Sequence, residues 1–213
     1  MNEILKYFPE INPSQTKKFQ DLYSIYKSWN SKINLISRKD FENLYIHHVL
    51  HSISILKFIK FKKDTKVLDV GTGGGFPGVP LAILFPEVEF TLIDGIGKKI
   101  VAVDSIIKDL KINNAEGLKI RAENLYEKYD FIVARAITSL DKFYKNGKNL
   151  YANSTDPEIF NISLDSKNTP NISNIDGDLE VVEGTKSTYS VLNENAINYK
   201  WSVSGNPEIN FQQ

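Results

Sequence analysis

The chain has 213 residues, which is long enough for a sizeable core. It has no cysteine, which excludes both a disulfide framework and a thiolate metal site. Its 26 basic and 26 acidic side chains are equal in number. Residues 1–145 carry 22 basic and 17 acidic side chains, a net charge of +5, and residues 146–213 carry 4 and 9, a net charge of −5, so only the first part suits a polyanionic partner. The N-terminus lacks a basic stretch followed by an apolar one, and no window approaches 18 uninterrupted apolar residues, which predicts a cytoplasmic protein without a membrane segment.

Two helices are predicted before the first strand. Asn12 or Ser14 can cap a helix over residues 13–29. Its apolar residues have the three-and-four spacing of one helix face, which we expect to lie in the core: Phe19, Leu22, Tyr23, Tyr26 and Trp29. Asp40 is a plausible N-cap for the second helix, which is predicted to run to about residue 60.

The second helix contains all three histidines of the chain, His47, His48 and His51. His47 and His51 are four residues apart and share a helix face, which is the spacing of a pair of metal ligands. No glutamate lies between them and no third ligand is evident. We therefore expect no metal and favour a role at the interface of this helix with its neighbours, with contact to RNA or to a cofactor as the alternative.

The central motif of the sequence is KVLDVGTGGGFPG, residues 66–78. Val67, Leu68 and Val70 lack the polar alternation of a half-buried strand, which predicts a strand buried on both faces of a parallel sheet. Glycines then end the strand, permit positive φ and leave a ligand room against the main chain: Gly71, Gly73, Gly74 and Gly75. With a short helix predicted over residues 77–85, the motif forms a nucleotide-type cradle.

The spacing of the glycines distinguishes between classes of nucleotide. A dinucleotide fingerprint would need a glycine at Phe76, and a P-loop would need the sequence G-K-[ST]. Residues 69–75 instead read D-x-G-x-G-x-G, which resembles motif I of class I S-adenosylmethionine-dependent methyltransferases. The resemblance implies S-adenosylmethionine as the cofactor, and a glycine turn without a ligand is the alternative.

Polar residues follow each of three further predicted strands, which span residues 89–93, 118–122 and 129–134. They are Asp94, Glu123 and Arg135. Because ligands of open α/β sheets bind at the carboxyl ends of the strands, we expect these residues at the same edge as the glycine turn. Asp94 is placed to accept hydrogen bonds from two ribose hydroxyls, with a helix N-cap as the alternative.

A helix is predicted between the second and third of the four strands, over about residues 98–110. Apolar residues lie on one of its faces, ready to cover a sheet: Ile100, Val103, Ile106, Ile107 and Leu110. The alternation of strands and helices predicts an α/β fold, a Rossmann-like class I methyltransferase core with an N-terminal helical extension and a C-terminal β-rich segment.

Several motifs occur in one order over about residues 20–145: W-N-x-K-x-N-L-I-S-x-x-D, H-V-L-H-S, L-D-V-G-T-G-G-G-F-P-G-V-P-L, L-I-D-x-x-x-K-K, R-A-E and A-R-A-I-T-S-L. Together they resemble the RsmG (GidB) family, which transfers a methyl group from S-adenosylmethionine to the N7 of a guanine in 16S ribosomal RNA. The resemblance implies the small ribosomal subunit as partner and a monomer without a metal. It implies cofactor contacts from Asp69, Gly71, Gly73, Gly75, Phe76, Asp94, Ala122, Glu123 and Arg135. It implies RNA contacts from Lys32, Arg38, His48 and Arg135.

Arg135 is the residue that we expect to carry catalysis. Guanine N7 already has a free lone pair, so the reaction needs positioning and electrostatics rather than a general base. At the end of the fourth strand, Arg135 would orient the base or a phosphate. A purely structural ion pair is the alternative role for this side chain.

The resemblance ends near residue 145, and the composition changes there. We expect a helical extension over 1–64, an incomplete cofactor-binding core over 65–145, a linker over 146–178 and a β-rich segment over 179–213. Around Trp201 the segment resembles the tryptophan strand of immunoglobulin-like or PKD-like β-domains. Two alternative functions stay open: a cofactor-binding remnant without turnover, fused to a β-rich interaction module, and an interaction protein in which only the tail functions.

Overall fold

The computed structural model describes residues 2–135 and four further strand segments, 159–164, 174–176, 187–193 and 196–203. The strands are β1 Lys66–Val70, β2 Glu89–Ile93, β3 Ala115–Leu118, β4 Phe131–Arg135, β5 Ile159–Leu164, β6 Asn174–Asp176, β7 Ser187–Asn193 and β8 Ala196–Val203. The α-helices are α1 Asn2–Tyr7, α2 Pro13–Asn30, α3 His51–Ile53, α4 Gly78–Leu84 and α5 Gly97–Asp109. Short 3₁₀ turns span Phe41–Asn43, Ser54–Lys57 and Ala122–Asn124, and Leu44–Leu50 is π-helical.

The strands form one sheet in the order β3-β2-β1-β4-β5-β8-β7-β6. The pairs among β1, β2, β3, β4 and β5 are parallel, whereas β6, β7 and β8 pair antiparallel. Val70 pairs with Ile93 on one side and with Ala134 on the other. The residues that follow these three strands therefore leave the sheet at one edge, as the sequence predicted. The parallel sheet with its helices confirms the predicted Rossmann-like α/β core.

The predicted apolar faces of the two longest helices are buried. On α2 the side chains of Phe19, Leu22 and Tyr26 are fully buried, and those of Tyr23 and Trp29 are partly buried against the same core. On α5 the buried side chains are Ile100, Val103, Ile106 and Ile107, and Leu110 directly after the helix is buried with them. Both helices thus bury the faces that the spacing predicted, α5 against β3 and α2 against α4 and α5.

The start of α2 has the predicted cap. Asn12 accepts a hydrogen bond from the backbone of Gln15, and the Gln15 side chain accepts one from the backbone of Asn12. This reciprocal pair satisfies two of the amides that a helix start leaves without partners. Of the two candidates that the sequence left open, Asn12 is the cap.

The second predicted helix differs from the expectation. Residues 41–57 form a 3₁₀ turn, a π-helical stretch, α3 and a second 3₁₀ turn in succession, and we call this segment the irregular helix. Asp40 makes no capping hydrogen bond at its start, so the predicted N-cap was wrong. The Asp40 carboxylate instead contacts the side chains of His47 and His48, which occupies it away from the helix amides.

The later strands also differ from the prediction. The third strand was expected over 118–122 and lies at Ala115–Leu118, because its position depends on the register with β2, in which Phe90 pairs with Ala115. Strands β5 and β6 fall in the stretch predicted to be linker, where the edge of β4 offers unpaired backbone groups to β5. The segment predicted to be β-rich, residues 179–213, is described at β7 and β8, and the rest of it lies outside the described residues.

Among the described residues, no helix is long and apolar enough to cross a lipid bilayer.

Candidate active site

The glycine loop, residues 71–76, connects β1 to α4 in a left-handed backbone. Gly71, Gly73 and Gly75 have φ values of 66°, 60° and 92°, a region in which residues with a Cβ are strained. Thr72 donates its backbone N–H to the Ile93 carbonyl at 2.9 Å, which fixes the loop to the end of β2. The glycines at these three positions are therefore required by the backbone itself.

Close packing holds the far side of the loop. The hydroxyl of Tyr26, a fully buried side chain of α2, donates to the Gly74 carbonyl at 2.7 Å. A Cβ at Gly75 would lie 2.7 Å from Val79 Cγ2, and one at Gly74 would lie 3.2 Å from the Leu35 carbonyl oxygen. At Gly73, in contrast, a Cβ would meet only the Gly71 carbonyl oxygen, at 3.8 Å. The loop is thus supported from behind and open at Gly73.

Asp69 lies in β1 directly beneath the loop and is fully buried. Its Oδ2 accepts hydrogen bonds from Thr72 Oγ1 at 2.7 Å and from the Gly78 backbone at 2.8 Å. Its Oδ1 is buried and has no hydrogen-bond partner among the described residues. Burial raises the pKa of Asp69 to about 6, although the hydrogen bonds from Thr72 and Gly78 oppose this. Asp69 therefore holds the loop in shape and retains one acceptor for a ligand.

Asp94, directly after β2, connects the glycine loop to the next loop. Its Oδ2 accepts from the Gly73 backbone at 3.1 Å, and its Oδ1 accepts from the Ile96 backbone at 2.8 Å. Lys99 Nζ lies 3.9 Å from the same carboxylate. The contact with Gly73 brings together two residues that are 21 positions apart in the sequence.

Residues 121–123 lie beside the loop that follows Asp94. A Cβ at Gly95 would be 3.8 Å from Arg121 Cγ, and Ala122 packs on the smaller of the two apolar clusters, which contains Ile93. Glu123 is exposed and forms an ion pair of 3.8 Å with Arg121. Ala122 and Glu123, predicted at a strand end, therefore lie in the 3₁₀ turn Ala122–Asn124, at the same edge as Asp94.

Arg135, the last residue of β4, contacts the irregular helix and the glycine loop. Its Nη1 donates to the His47 carbonyl at 3.1 Å, and its Nη2 lies 3.0 Å from Nδ1 of His48. The guanidinium carbon is 5.2 Å from the ring centre of Phe76, a cation–π distance. Burial lowers the pKa of Arg135 to about 10, against the attraction of Asp69, so the side chain is charged at neutral pH.

The His48 ring lies in contact with both Phe76 and Arg135. Its ring centre lies 5.3 Å from that of Phe76, and its side chain is only 15% exposed. Nε2 lies 2.9 Å from Asp40 Oδ2. Both ring nitrogens therefore contact protein groups, and burial and the Arg135 charge lower the pKa of His48 to about 4.

The side chains of three residues contact the Asp40 carboxylate. His47 Nδ1 lies beside Oδ1, His48 Nε2 beside Oδ2, and Asn43 Nδ2 is 3.2 Å from Oδ1. Burial alone would raise the pKa of Asp40, but the hydrogen bonds from His47, Asn43 and His48 lower it. The carboxylate is thus ionised and fixed in place beside His48.

The two other predicted RNA contacts lie on the loop between α2 and the irregular helix. Lys32 and Arg38 are exposed, and Lys32 Nζ lies 5.0 Å from the ring centre of Trp29. Buried Asn30 shapes this loop, because its side chain accepts from the backbone of Leu35 and donates to the Ile36 carbonyl. The loop also contains Leu35, whose carbonyl oxygen would lie 3.2 Å from a Cβ at Gly74.

The described residues fit S-adenosylmethionine. The loop is open at Gly73, where no side chain would block a ligand. Asp69 Oδ1 is a buried acceptor without a described partner, suited to an ammonium group. Asp94, at the carboxyl end of β2, is an acceptor for hydroxyl groups.

Three contributors were not predicted as site residues. Tyr26 was assigned to the core, Asp40 to a helix cap and Asn30 to no role. The hydroxyl of a buried tyrosine needs a partner, which is the one signal that pointed to Tyr26. Asp40 and His48 meet through the π-helical turn, and no sequence period reveals such a turn.

Comparison with known proteins identifies a family. The model of the GidB family, described as rRNA small subunit methyltransferase G, matches residues 15–159, which extends past the point where the sequence motifs end. "Ribosomal RNA small subunit methyltransferase G" of Flavobacterium psychrophilum is 54% identical over 143 residues, 67% of this chain and 68% of the relative. The protein of the same name from Phocaeicola vulgatus is 52% identical over 145 residues, 68% and 69% of the two chains. The matched region thus spans about two thirds of these relatives.

Similarity to a solved structure is more limited. The ribosomal protein L11 methylase from Lactobacillus delbrueckii subsp. bulgaricus shares 18% sequence identity, with a TM-score of 0.43 over 53% of this chain and 57% of that one. Similarity of this degree does not bear on function.

Proposed function

The chain belongs to the GidB family, rRNA small subunit methyltransferase G, and on this premise we propose that it transfers a methyl group from S-adenosylmethionine to the N7 of a guanine in 16S ribosomal RNA. One juxtaposition supports the proposal most strongly. The open glycine loop with Asp94 and the buried cluster of Arg135, His48 and Phe76 lie at the same edge of the sheet. A cofactor site and a site for a target base are thereby adjacent.

The cofactor would lie against the glycine loop. Asp94 would accept hydrogen bonds from its ribose hydroxyls, and Asp69 Oδ1 would accept one from its ammonium group. Gly71, Gly73 and Gly75 leave the main chain accessible, while Phe76, Ala122, Glu123 and Arg135 surround the site. When bound, S-adenosylmethionine supplies an electrophilic methyl group on a positively charged sulfur.

The chain's own contribution to the reaction is position and charge. Guanine N7 carries a lone pair and no proton, so no residue has to act as a base. His48 is neutral at pH 7 and has both nitrogens in use, which fits a supporting role. Holding two reactants in line lowers the activation barrier by about 7–11 kcal/mol.

Arg135 is the catalytic residue of this proposal. Among the described residues, one carbonyl and one imidazole nitrogen take two of its N–H groups, and a guanidinium has five. An oxygen of the base or of a phosphate would accept from the remaining N–H groups. Lys32 and Arg38 would bind the RNA backbone from the exposed loop beside the site, where phosphate contacts set affinity and orientation.

The proposal includes the surroundings of the enzyme. Its substrate is part of the small ribosomal subunit, which places its action in the cytoplasm. A methyl group on a sulfonium needs no Lewis acid, so we propose a metal-independent reaction. We propose a monomer as the active form.

We also propose the division of the chain that the sequence predicted, with boundaries at residues 64/65, 145/146 and 178/179.

Replacing Asp94 with alanine should remove most of the thermal stabilisation that S-adenosylmethionine gives. A ligand at 100 times its Kd stabilises the folded state by about 2.7 kcal/mol, and the loss of the ribose acceptor weakens that binding. The measurement is the melting temperature of each protein with and without the cofactor.

Asp109→Ala is the matched control, because Asp109 is an exposed carboxylate at the opposite end of α5. It should show the full stabilisation. Equal shifts in Asp94→Ala and in the unaltered chain would contradict the assigned role of Asp94. The melting temperatures without cofactor report separately the loss of the Asp94 contacts with Gly73 and Ile96.

A further inference from the structure

Asp40 is connected to Arg135 through a single side chain, that of His48. Nε2 of His48 lies 2.9 Å from Asp40 Oδ2, and Nδ1 lies 3.0 Å from Nη2 of Arg135. One ring nitrogen thus faces a carboxylate, and the other faces a guanidinium. The three residues come from three separate parts of the chain, namely the loop after α2, the irregular helix and the end of β4.

The chemistry of these partners fixes the tautomer of His48. A guanidinium has only donors, so Nδ1 must accept and cannot carry a proton. A neutral imidazole then carries its proton on Nε2, where it is donated to Asp40. The low pKa of His48, about 4, agrees with a neutral ring at pH 7.

We propose that Asp40 is a positioning residue for methyl transfer, which through the Nε2–H tautomer of His48 holds the guanidinium of Arg135 against Phe76. This inference rests on the proposed function. Without the carboxylate, the His48 proton can move to Nδ1, and an N–H would then face an N–H of Arg135. Arg135 would lose one of its two described hydrogen bonds and its fixed orientation over the Phe76 ring.

The surroundings of Asp40 are suited to this role. Its Oδ1 contacts His47, and its Oδ2 contacts His48. The π-helical stretch Leu44–Leu50 contains both histidines, and such turns are frequent at functional sites. The His47 carbonyl in the same turn accepts from Arg135, so the irregular helix contacts the arginine at two points.

Asp40→Ala should lower kcat by about 10- to 100-fold, the effect of losing one hydrogen bond to a charged group. The KM for S-adenosylmethionine should change less than kcat, because Asp40 has no described contact with Asp94 or the glycine loop and reaches Arg135 only through His48. Asn43→Ala is the control, since it removes another partner of the same carboxylate and leaves the His48 contact. It should retain kcat within about threefold.

A second pair of variants keeps the test valid if Asp40→Ala does not fold. His48→Gln can accept from Arg135 with Oε1 and donate to Asp40 with Nε2, whereas His48→Leu can do neither. We expect His48→Gln to be at least about tenfold more active than His48→Leu. In the double variant of Asp40→Ala and His48→Leu, kcat should fall no further than in the single variants.

Nitrogen-15 NMR of the three imidazoles gives a readout without catalysis. His48 should be the Nε2–H tautomer in the unaltered chain, with a marked rise of the Nδ1–H form in Asp40→Ala. An Nδ1–H tautomer in the unaltered chain, or equal kcat in Asp40→Ala and Asn43→Ala, would overturn the inference. If the unaltered chain transfers no methyl group, the proposed function fails, while the NMR measurement still tests the contact with His48.

Discussion

Arg135→Lys is expected to lower the rate of methyl transfer by about 100-fold or more. Lysine keeps the positive charge, but it has no planar fork with which to donate to the His47 carbonyl and to His48 at once while it lies over Phe76. Removing one oriented donor from an active site costs about 10² to 10³ in kcat. The measurement is the initial rate of transfer from labelled S-adenosylmethionine to 16S ribosomal RNA.

Arg121→Lys provides the same chemical change at an exposed position of the same edge. Among the described residues, the side chain of Arg121 forms one ion pair, with Glu123 at 3.8 Å, and exposed pairs contribute about 0–1 kcal/mol. Its rate should stay within about threefold of the unaltered chain. A full rate in Arg135→Lys would mean that charge alone suffices, and the role of the guanidinium would have to be abandoned.

Gly78→Ala is expected to lower the free energy of unfolding by about 1 to 3 kcal/mol, the cost of overpacking a filled core. A Cβ at Gly78 would lie 2.6 Å from Leu92 Cγ and 2.8 Å from Asp69 Oδ2, and both side chains are fully buried. Asp69 also accepts hydrogen bonds from the Gly78 backbone and from Thr72 of the glycine loop. A shift of Asp69 that relieves the clash would therefore disturb the glycine loop. Binding of S-adenosylmethionine should weaken together with stability, as measured by chemical unfolding and by calorimetric titration.

Gly95→Ala is the control for this change. A Cβ at Gly95 would have its nearest described neighbour, Arg121 Cγ, at 3.8 Å, and Gly95 has no positive φ. Its free energy of unfolding should change by about 0.5 kcal/mol or less, or rise slightly. If Gly78→Ala and Gly95→Ala lowered the free energy of unfolding equally, the tight packing around Gly78 would not explain the need for a glycine there.

The sequence alone was sufficient for the parts of the fold that rest on local patterns. The buried run before Gly71 and the run that ends at Ile93 are strands β1 and β2, because most residues of each run are apolar. The glycine spacing and Asp94 predicted which residues would meet, and the hydrogen bond from Gly73 to Asp94 joins them. Family motifs narrowed the nucleotide class in a way that composition could not.

The parts that the sequence did not predict depend on distant partners. Strand β3 is one such part, since its start at Ala115 is set by pairing with β2 and its own residues include Glu116 and Gly117, which are poor strand formers. The irregular helix is another, because its shape accompanies contacts of Asp40 with two histidines and of the His47 carbonyl with Arg135. Contacts of this kind leave no periodic signal in the sequence.

The most direct test is the methylation of ribosomal RNA by the full chain. The purified protein is incubated with S-adenosylmethionine and with 16S ribosomal RNA, free or in small subunits, that lacks the modification, and the modified nucleoside is identified by mass spectrometry. We predict the appearance of 7-methylguanosine at a single position, and its strong reduction with Arg135→Lys. Cofactor binding without transfer to RNA in either form would contradict the proposed function and favour the cofactor-binding remnant.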